Sequence, residues 1–189
     1  MIHKKSLIMF VLTLFFAGFL YSSGAMAASQ PSAGSSLPEF KIQIPEQEKD
    51  RRYLGVDGTA AFTAGQMDSP FTLIEIVGAY CPYCHAQAPL FNALFSRIRK
   101  DPQMNARIKM LAIAAGATPT EVDYMRNLLN IPFPVIQDPD FDIHKALGEP
   151  RTPFVLVTSK ENKVVLAHMG VVEDLDGFIL KLQELTGAE

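Results

Sequence analysis

Hydrophobic and polar residues follow two different periods along the chain, and the order of these periods predicts an α/β protein. Mostly apolar, β-prone runs at 71–77 and 108–115 predict two buried strands. Apolar residues three and four positions apart predict amphipathic helices at 86–99 and 173–185. Shorter patterns predict four more strands and two more helices, at 39–44, 132–136, 154–158, 164–169, 118–129 and 140–147. This order of elements is typical of a mixed sheet covered by helices.

The start of the chain has the pattern of a secretory signal. Lys4 and Lys5 precede an apolar run at 7–21, and the small-x-small sequence at 25–27 is a cleavage site. An uncleaved membrane anchor is the alternative, but this run of 15 residues is shorter than the roughly 20 that span a bilayer. The predicted organisation is a signal peptide at 1–27, a flexible tether at 28–36 and one domain at 37–189, exported to the periplasm.

Composition limits the function classes that remain. Without Lys4 and Lys5 the 17 basic residues become 15 against 20 acidic ones, a net charge of −5. An acidic chain does not favour binding to nucleic-acid phosphates. Two cysteines are too few for a disulfide scaffold or an all-cysteine zinc site. What they do therefore depends on their position.

The two cysteines are close neighbours in Cys81-Pro82-Tyr83-Cys84, which follows a predicted buried strand and opens a predicted helix. The unpaired N–H groups and positive potential of a helix N-terminus stabilise a thiolate, which is the attacking species in disulfide exchange. We therefore expect Cys81 to attack and Cys84 to resolve the mixed disulfide. A structural disulfide is the alternative, but so short a loop removes little chain entropy.

At this point the sequence resembles the thioredoxin superfamily. Pro89 lies eight residues after the first cysteine, like the proline that kinks the active-site helix of that family. Thr152-Pro153 precedes a predicted strand and resembles the family's cis-proline, and Gly170 is similar in place to a family glycine. The stretch 138–153, with the helix and strand before it, resembles the TlpA-like branch of exported thiol:disulfide oxidoreductases.

The resemblance covers the chain from Leu37 to its C-terminus. It implies a thioredoxin fold, with a central mixed β-sheet flanked by helices, a TlpA-like extra helix and strand, and an N-terminal strand extension at 39–44. Two departures leave the direction of electron flow open. Tyr80 stands where the family usually has tryptophan. The dipeptide Pro82-Tyr83 is more typical of glutaredoxins and of some exported isomerases and oxidases.

The residues and the resemblance together suggest roles around the cysteine pair. Glu75 lies inside a predicted buried strand, where burial would raise its pKa, and resembles the family's buried acid that accepts the Cys84 proton. A solvated strand edge is the alternative. The resemblance implies that Pro153 is cis and lets an extended substrate pair with the backbone beside it, with Thr152 as a further contact. The expected rim for substrate binding consists of Tyr80, Pro82 and Tyr83.

A second interpretation comes from His85, because Cys81 to His85 also matches the pattern of covalent c-type haem attachment. The predicted α/β elements argue against it, since small c-type cytochromes are mainly helical. Met169 is a formal axial-ligand candidate but is expected in the core. His144 and His168 are expected to be structural, and the sequence shows no metal-ligand cluster.

The sequence therefore predicts a periplasmic, monomeric thiol:disulfide oxidoreductase of thioredoxin fold. We expect it to exchange disulfides with protein substrates, to act as a reductase fed by a membrane electron donor, and to need no cofactor beyond its redox disulfide. The alternatives are an oxidase or isomerase of the Dsb type, a c-type cytochrome and a non-catalytic binding module.

Overall fold

The computed structural model describes residues 29–58 and 60–188, so the predicted signal at 1–27 lies outside the described residues. The strands are β1 (Phe71–Val77), β2 (Ile108–Ala115), β3 (Val135–Asp138), β4 (Phe154–Ser159) and β5 (Val164–Met169). They form one mixed sheet in the order β3-β2-β1-β4-β5. β2 is parallel to β1 and β3, whereas β4 is antiparallel to β1 and β5. The predicted α/β class is confirmed.

Helices cover this sheet. They are α1 (Glu48–Leu54), α2 (Pro82–Lys100), α3 (Pro102–Arg107), α4 (Pro119–Leu129), α5 (Asp142–Ala146) and α6 (Leu175–Thr186), with a 3-10 turn at Ala64–Gln66. A capping box opens α4, since the Thr118 hydroxyl accepts from the Glu121 N–H and the Glu121 carboxylate accepts from the Thr118 N–H. α2 begins four residues before its predicted start because Cys81 caps it.

Strand β1 is buried on both faces, which explains why its sequence is almost entirely apolar. Leu73 and Val77 pack into the core that contains Phe91 of α2. Ile74 and Ile76 point to the opposite face and pack into a second core. Alternate residues of a strand face opposite sides of the sheet. A central parallel pair with a core on each face is the scaffold that positions the end of β1.

The predicted strand at 39–44 is wrong, and with it the N-terminal strand extension. Only Ile42 pairs in this segment, through an isolated bridge to Phe62. Pro38 and Pro45 flank the segment and carry no N–H, so few residues remain that could extend a ladder. The alternation of apolar residues reflects burial of Ile42 against the second core rather than a strand.

Two helices were absent from the sequence prediction. α1 has no side-chain cap at Gln47 and is only seven residues long, so it carries little local signal. α3 does have a local sequence signal. The Asp101 carboxylate accepts from the N–H groups of Gln103 and Met104, and Pro102 occupies the first helical position. The prolines at 132 and 134 delay β3, which begins at Val135.

The end of the predicted tether is bonded to the domain. The Gly34 N–H donates to the Val164 carbonyl at 2.8 Å, and the Val164 N–H donates to the Ser35 carbonyl at 2.9 Å. Ser36 forms an isolated bridge with Lys163. The boundary of the tether at 36 stays a prediction. In the part of the chain that the structure describes, no helix is both long enough and apolar enough to cross a bilayer.

Candidate active site

The cysteine pair lies at the carboxyl end of β1, where α2 begins. The Cys81 N–H donates to the Gly78 carbonyl at 3.1 Å, which closes the turn between strand and helix. Cys81 is the N-cap of α2, and its Sγ accepts from the Cys84 N–H at 3.3 Å. Pro82 fits the first helical position because it has no N–H to leave unpaired. A Cβ on Gly78 would lie 3.3 Å from the Cys81 Cβ, so the turn is closely packed.

The two thiols differ in exposure and in acidity. Cys81 is partly exposed, whereas Cys84 is 3% exposed. Burial opposes ionisation of Cys81. Hydrogen bonds to its sulfur outweigh this effect and lower the Cys81 pKa, and they come from the side chains of Cys84 and Thr152 and from the backbone N–H groups of Cys84 and Tyr83. Burial, with the hydrogen bond to Cys81, raises the pKa of Cys84 to about 12. Cys81 is therefore the cysteine that ionises to a thiolate, and Cys84 keeps its proton.

The loop before β4 brings Thr152 and Pro153 against Cys81. The peptide bond between them is cis. The Cys81 thiol lies 3.5 Å from the Thr152 carbonyl oxygen, to which it donates. This carbonyl lies beside the Cys81 sulfur and just before β4, the strand that pairs antiparallel with β1.

Glu75 is buried in β1 and does not lie at a solvated edge. It is 4% exposed, and burial raises its pKa to about 7 despite an opposing hydrogen bond from Gln87. The Gln87 Nε2 donates to the Glu75 Oε1 at 2.6 Å. Gln87 lies one helical turn after Cys84, so Glu75 sits beneath the first turns of α2. A carboxyl with a pKa of about 7 is suited to exchange protons at neutral pH.

Sequence reasoning missed Gln87, which is completely buried. The signal that could have found it is the helical period, because 87 lies three residues after Cys84 and four before Phe91, on the buried side of α2. A polar residue in that stripe needs a buried partner. Its amide oxygen accepts from the Val172 N–H at 2.9 Å. Gln87 thus joins β1, α2 and the segment after β5.

The surface around Cys81 is aromatic. Tyr80 and Tyr83 are each 69% exposed, and Pro82 is exposed between them. A hydrogen bond to the Glu121 carboxylate of α4 raises the pKa of Tyr80. Three further exposed side chains were not predicted as rim residues, namely Tyr124 of α4, Phe141 at the start of α5 and Met169 at the end of β5.

Two of these three correct or extend the sequence prediction. Met169 was expected in the core but is 41% exposed, because β5 is the edge strand and Met169 is its last residue. Phe141 has a positive φ of 58° and lies over Gly116, where a Cβ would be 2.1 Å from its ring. The absence of a side chain at Gly116 therefore allows the Phe141 ring to lie beside the end of β2.

The histidines are held by backbone carbonyls. The His85 Nε2 donates to the Ala79 carbonyl at 2.8 Å. His144 donates to the Pro150 carbonyl at 2.9 Å, and His168 to the Val171 carbonyl at 3.3 Å. A carbonyl only accepts, so the bonded nitrogen carries the proton and is not available to a metal. Residues 29–58 and 60–188 contain no group of three or more His, Cys, Asp or Glu that could hold a metal ion.

Comparisons with known proteins find similarity in structure alone. A scan against protein-family models finds no matching family, and a search of curated proteins finds no matching relative. Many solved structures match. One is a candidate protein disulfide isomerase from Bacteroides thetaiotaomicron, with a TM-score of 0.66, 16% identity, and coverage of 86% of this chain and 95% of that one.

Two further matches have the same architecture. A candidate thiol:disulfide interchange protein DsbE from Chlorobium tepidum matches with a TM-score of 0.61, 16% identity, and coverage of 84% of this chain and 99% of the other. A secreted Mycobacterium tuberculosis disulfide oxidoreductase homologous to Escherichia coli DsbE matches with a TM-score of 0.54, 16% identity, and coverage of 79% and 96%. With its five-stranded mixed sheet and a cysteine pair at the start of α2, the chain has the thioredoxin-like fold of these proteins.

Proposed function

We propose that this protein is a thiol:disulfide oxidoreductase that exchanges disulfides with protein substrates in the periplasm, as a reductase. The observation that carries the proposal is the asymmetry of the cysteine pair. Cys81 is partly exposed, caps α2 and has a lowered pKa, whereas Cys84 is buried with a pKa of about 12. The attacking and resolving thiols of an exchange reaction need these opposite properties.

The first step uses Cys81. Its thiolate attacks one sulfur of a substrate disulfide, the substrate S–S bond breaks, and one substrate sulfur leaves as a thiolate. A mixed disulfide then joins Cys81 to the other substrate sulfur. The N–H of Cys84, which bonds Cys81 Sγ, stabilises the thiolate before the attack.

The second step uses Cys84 and Glu75. The Glu75 carboxylate takes the proton of the Cys84 thiol, and the Cys84 sulfur attacks Cys81 Sγ. The bond from Cys81 to the substrate breaks, and the second substrate sulfur leaves as a thiolate. The substrate disulfide gains two electrons, and the protein is left with a Cys81–Cys84 disulfide. Glu75 acts as a buried proton acceptor because its pKa of about 7 divides its population between the acid and the carboxylate at neutral pH.

The substrate chain would bind across Thr152 and Pro153. Proline has no N–H, so an extended substrate would pair there through the carbonyl of Thr152 and the backbone next to it. That carbonyl now accepts from the Cys81 thiol. The exposed rings of Tyr80 and Tyr83, with Pro82, would cover apolar side chains of the substrate.

The reductase direction requires a supply of electrons, and a membrane protein is the proposed donor. The proposed export supports this arrangement, since the signal-like segment at 1–27 predicts a mature start at Ala28. Resemblance to the secreted mycobacterial oxidoreductase is in keeping with it. An oxidase or isomerase would use the same residues with a different potential, so the potential decides the direction.

Three measurements test the proposal. Cys81→Ala should abolish reduction of a disulfide-bonded protein substrate, whereas a binding module would keep its activity in cells. Cys84→Ser should trap substrates as mixed disulfides and so identify them. Equilibration of the Cys81–Cys84 pair with glutathione should give a potential below the poise of the compartment, and a potential like that of strong oxidants would contradict the reductase direction.

Location and assembly are tested separately. The mass of the protein recovered from the periplasm should correspond to a chain beginning at Ala28, and its elution should correspond to a monomer. A haem absorption band on the purified protein would instead favour the cytochrome interpretation. The burial of Cys84 in the first turn of α2 argues against that interpretation, because a thioether bond needs an accessible sulfur.

A further inference from the structure

The Gln87 amide links the buried acid to the rest of the site with a fixed orientation. Its Nε2 is 2.6 Å from the Glu75 Oε1, and its Oε1 is 2.9 Å from the Val172 nitrogen. The Val172 N–H can only donate, so it requires the amide oxygen. If the amide were flipped, its NH2 group would face the Val172 N–H and its oxygen would face the Glu75 carboxylate, and both contacts would be repulsive. Gln87 therefore always presents a donor to Glu75.

From this orientation we infer that Gln87 is a positioning residue, which holds the Glu75 carboxyl in one arrangement and keeps it able to accept the Cys84 proton. The inference rests on the proposed function and deepens it. Because Oε1 of Glu75 accepts from Gln87, the proton of the neutral acid belongs on Oε2. The transfer then runs from Cys84 Sγ to Glu75 Oε2, followed by attack of the Cys84 sulfur on Cys81 Sγ and release of the substrate thiolate.

The hydrogen bond from Gln87 matters because it is the interaction that opposes the effect of burial on Glu75. The elements around Glu75 carry Tyr83, Cys84 and His85 in the first turn of α2, Lys109 on β2 and His168 on β5. The two effects that shift the pKa of Glu75 are burial and the hydrogen bond from Gln87. His168 lies in the same cross-strand row, with Val155 between it and Glu75. Its ring stacks edge-on against Phe178 of α6, and its Nε2 bonds to a backbone carbonyl. On the other side, β2 presents Ala112. The amide of Gln87 is thus the group that stabilises the carboxylate.

Burial and the amide act on Glu75 in opposite directions. Burial alone disfavours the carboxylate, and the hydrogen bond from Gln87 opposes this effect. Without the donor, the acid would stay protonated to a higher pH and would accept the Cys84 proton in fewer molecules at pH 7. A role limited to stability would not move the pH dependence of the Cys84 step.

The test measures that step directly. The reduced protein is mixed with oxidised glutathione, quenched in acid, and analysed by mass spectrometry, which separates glutathione bound at Cys81 from the closed Cys81–Cys84 disulfide. Rates of both steps are recorded against pH for the wild type, Gln87→Leu and Glu75→Gln. We expect Gln87→Leu to move the pH midpoint of the second step upward by about one unit or more, and to slow this step about fivefold or more at pH 7. The first step should be unchanged.

Two further variants separate this effect from loss of packing. Gln87→Glu keeps an acceptor for the Val172 N–H and should fold if Gln87→Leu does not. In Gln87→Glu the neighbouring carboxyls of residues 75 and 87 should titrate as a coupled pair, with one pH midpoint above the wild-type midpoint of the second step. The matched control is Asn92→Leu, which removes another amide of α2 that bonds the carbonyls of Leu129 and Asn130. It should leave the pH midpoint unchanged.

The outcomes distinguish this inference from the proposed function. A wild-type midpoint in Gln87→Leu, with a profile that Glu75→Gln abolishes, would overturn the role of Gln87 and leave Glu75 as the acceptor. A wild-type profile in Glu75→Gln would overturn both roles but not exchange at Cys81. If glutathione does not react at Cys81, the proposed function fails. Titration of the 13C-labelled Glu75 carboxyl then still decides whether Gln87→Leu raises its pKa.

Discussion

Two carboxylates are buried to almost the same extent in this protein, but their partners differ. Asp50 of α1 is 5% exposed, and its carboxylate lies 2.8 Å from the guanidinium of Arg126 on α4. Glu75 of β1 is 4% exposed, and its carboxyl is bonded by the neutral amide of Gln87. A full cation neutralises Asp50, whereas a dipole only moderates the burial of Glu75.

The difference shows that burial alone does not make a proton acceptor. The ion pair of the Asp50 carboxylate and the Arg126 guanidinium joins α1 to α4. Glu75 has a pKa of about 7 because no full charge offsets its burial in the way that Arg126 does for Asp50. The first region uses a buried carboxylate to hold two helices together, and the second keeps one ready to gain or lose a proton.

The largest expected effect comes from breaking the ion pair. Arg126→Met leaves Asp50 charged and buried without a partner, which should lower the free energy of unfolding by about 3–5 kcal/mol. Urea unfolding of the disulfide form measures it. The rates of glutathione exchange by the folded protein should not change.

The matched control is the double variant Asp50→Leu with Arg126→Met. It removes both charges and should recover most of the lost stability. A loss below about 1 kcal/mol in Arg126→Met would mean that the pair behaves like an exposed one, and the comparison with Glu75 would lose its basis.

The second effect is the pH dependence of stability that Glu75 causes. Its pKa is raised from 4.5 to about 7 in the folded protein, so the unfolded chain releases this proton first as the pH rises. The stabilising effect of the neutral acid is therefore complete below pH 4.5 and is lost as the pH rises through about 7. The loss amounts to about 3 kcal/mol.

Glu75→Gln should remove this dependence, because the amide does not titrate. Unfolding of the disulfide form at pH 5 and pH 8 keeps both cysteines out of the titration. We expect Glu75→Gln to be more stable than the wild type at pH 8 and to differ little between the two conditions. Equal pH dependence in both proteins would contradict the raised pKa of Glu75.

The third effect is kinetic and separates the two carboxylates by function. Glu75→Gln should slow closure of the Cys81–Cys84 disulfide by about a hundredfold at pH 7, since it removes the proposed proton acceptor. Asp50→Asn is the control and should leave closure unchanged in the folded protein. Rapid mixing with oxidised glutathione measures both, and a similar slowing in the two variants would point to loss of structure rather than of a base.

The smallest expected effect extends the comparison to the surface. Tyr80→Ser and Tyr83→Ser should each raise KM for a protein disulfide a few-fold, which corresponds to about 1 kcal/mol, while the rate with glutathione stays the same. Leu180→Ser is the control, because Leu180 is also exposed but lies on α6. An equal effect of all three substitutions on KM would mean that the tyrosines do not form a specific docking rim.

Local sequence signals were sufficient for the elements that carry the site. The apolar run of β1 and the cysteines at the start of a helical pattern place Cys81 at a strand-to-helix turn, which is where the structure has it. The capping box of α4 was readable for the same reason, since both of its partners lie within one turn. Where the determinants are a few residues apart, the sequence is enough.

Other features depended on segments far apart in the chain. The Asp50 carboxylate and the Arg126 guanidinium are separated by 76 positions, and α1 has little local signal without that contact. The segment at 39–44 alternates like a strand, but it pairs only through the isolated bridge between Ile42 and Phe62. Met169 is apolar yet exposed, because strand order places β5 at the edge of the sheet.

The sequence by itself determined the class of the fold, the position of the cysteine pair and the presence of an acid inside β1. Only the tertiary structure decided what that acid can do. The pKa of Glu75 depends on how completely it is buried and on which group bonds it, and Gln87 and Val172 come from distant parts of the chain. Electrostatic effects of this kind act through space, so they exist only once the chain has folded.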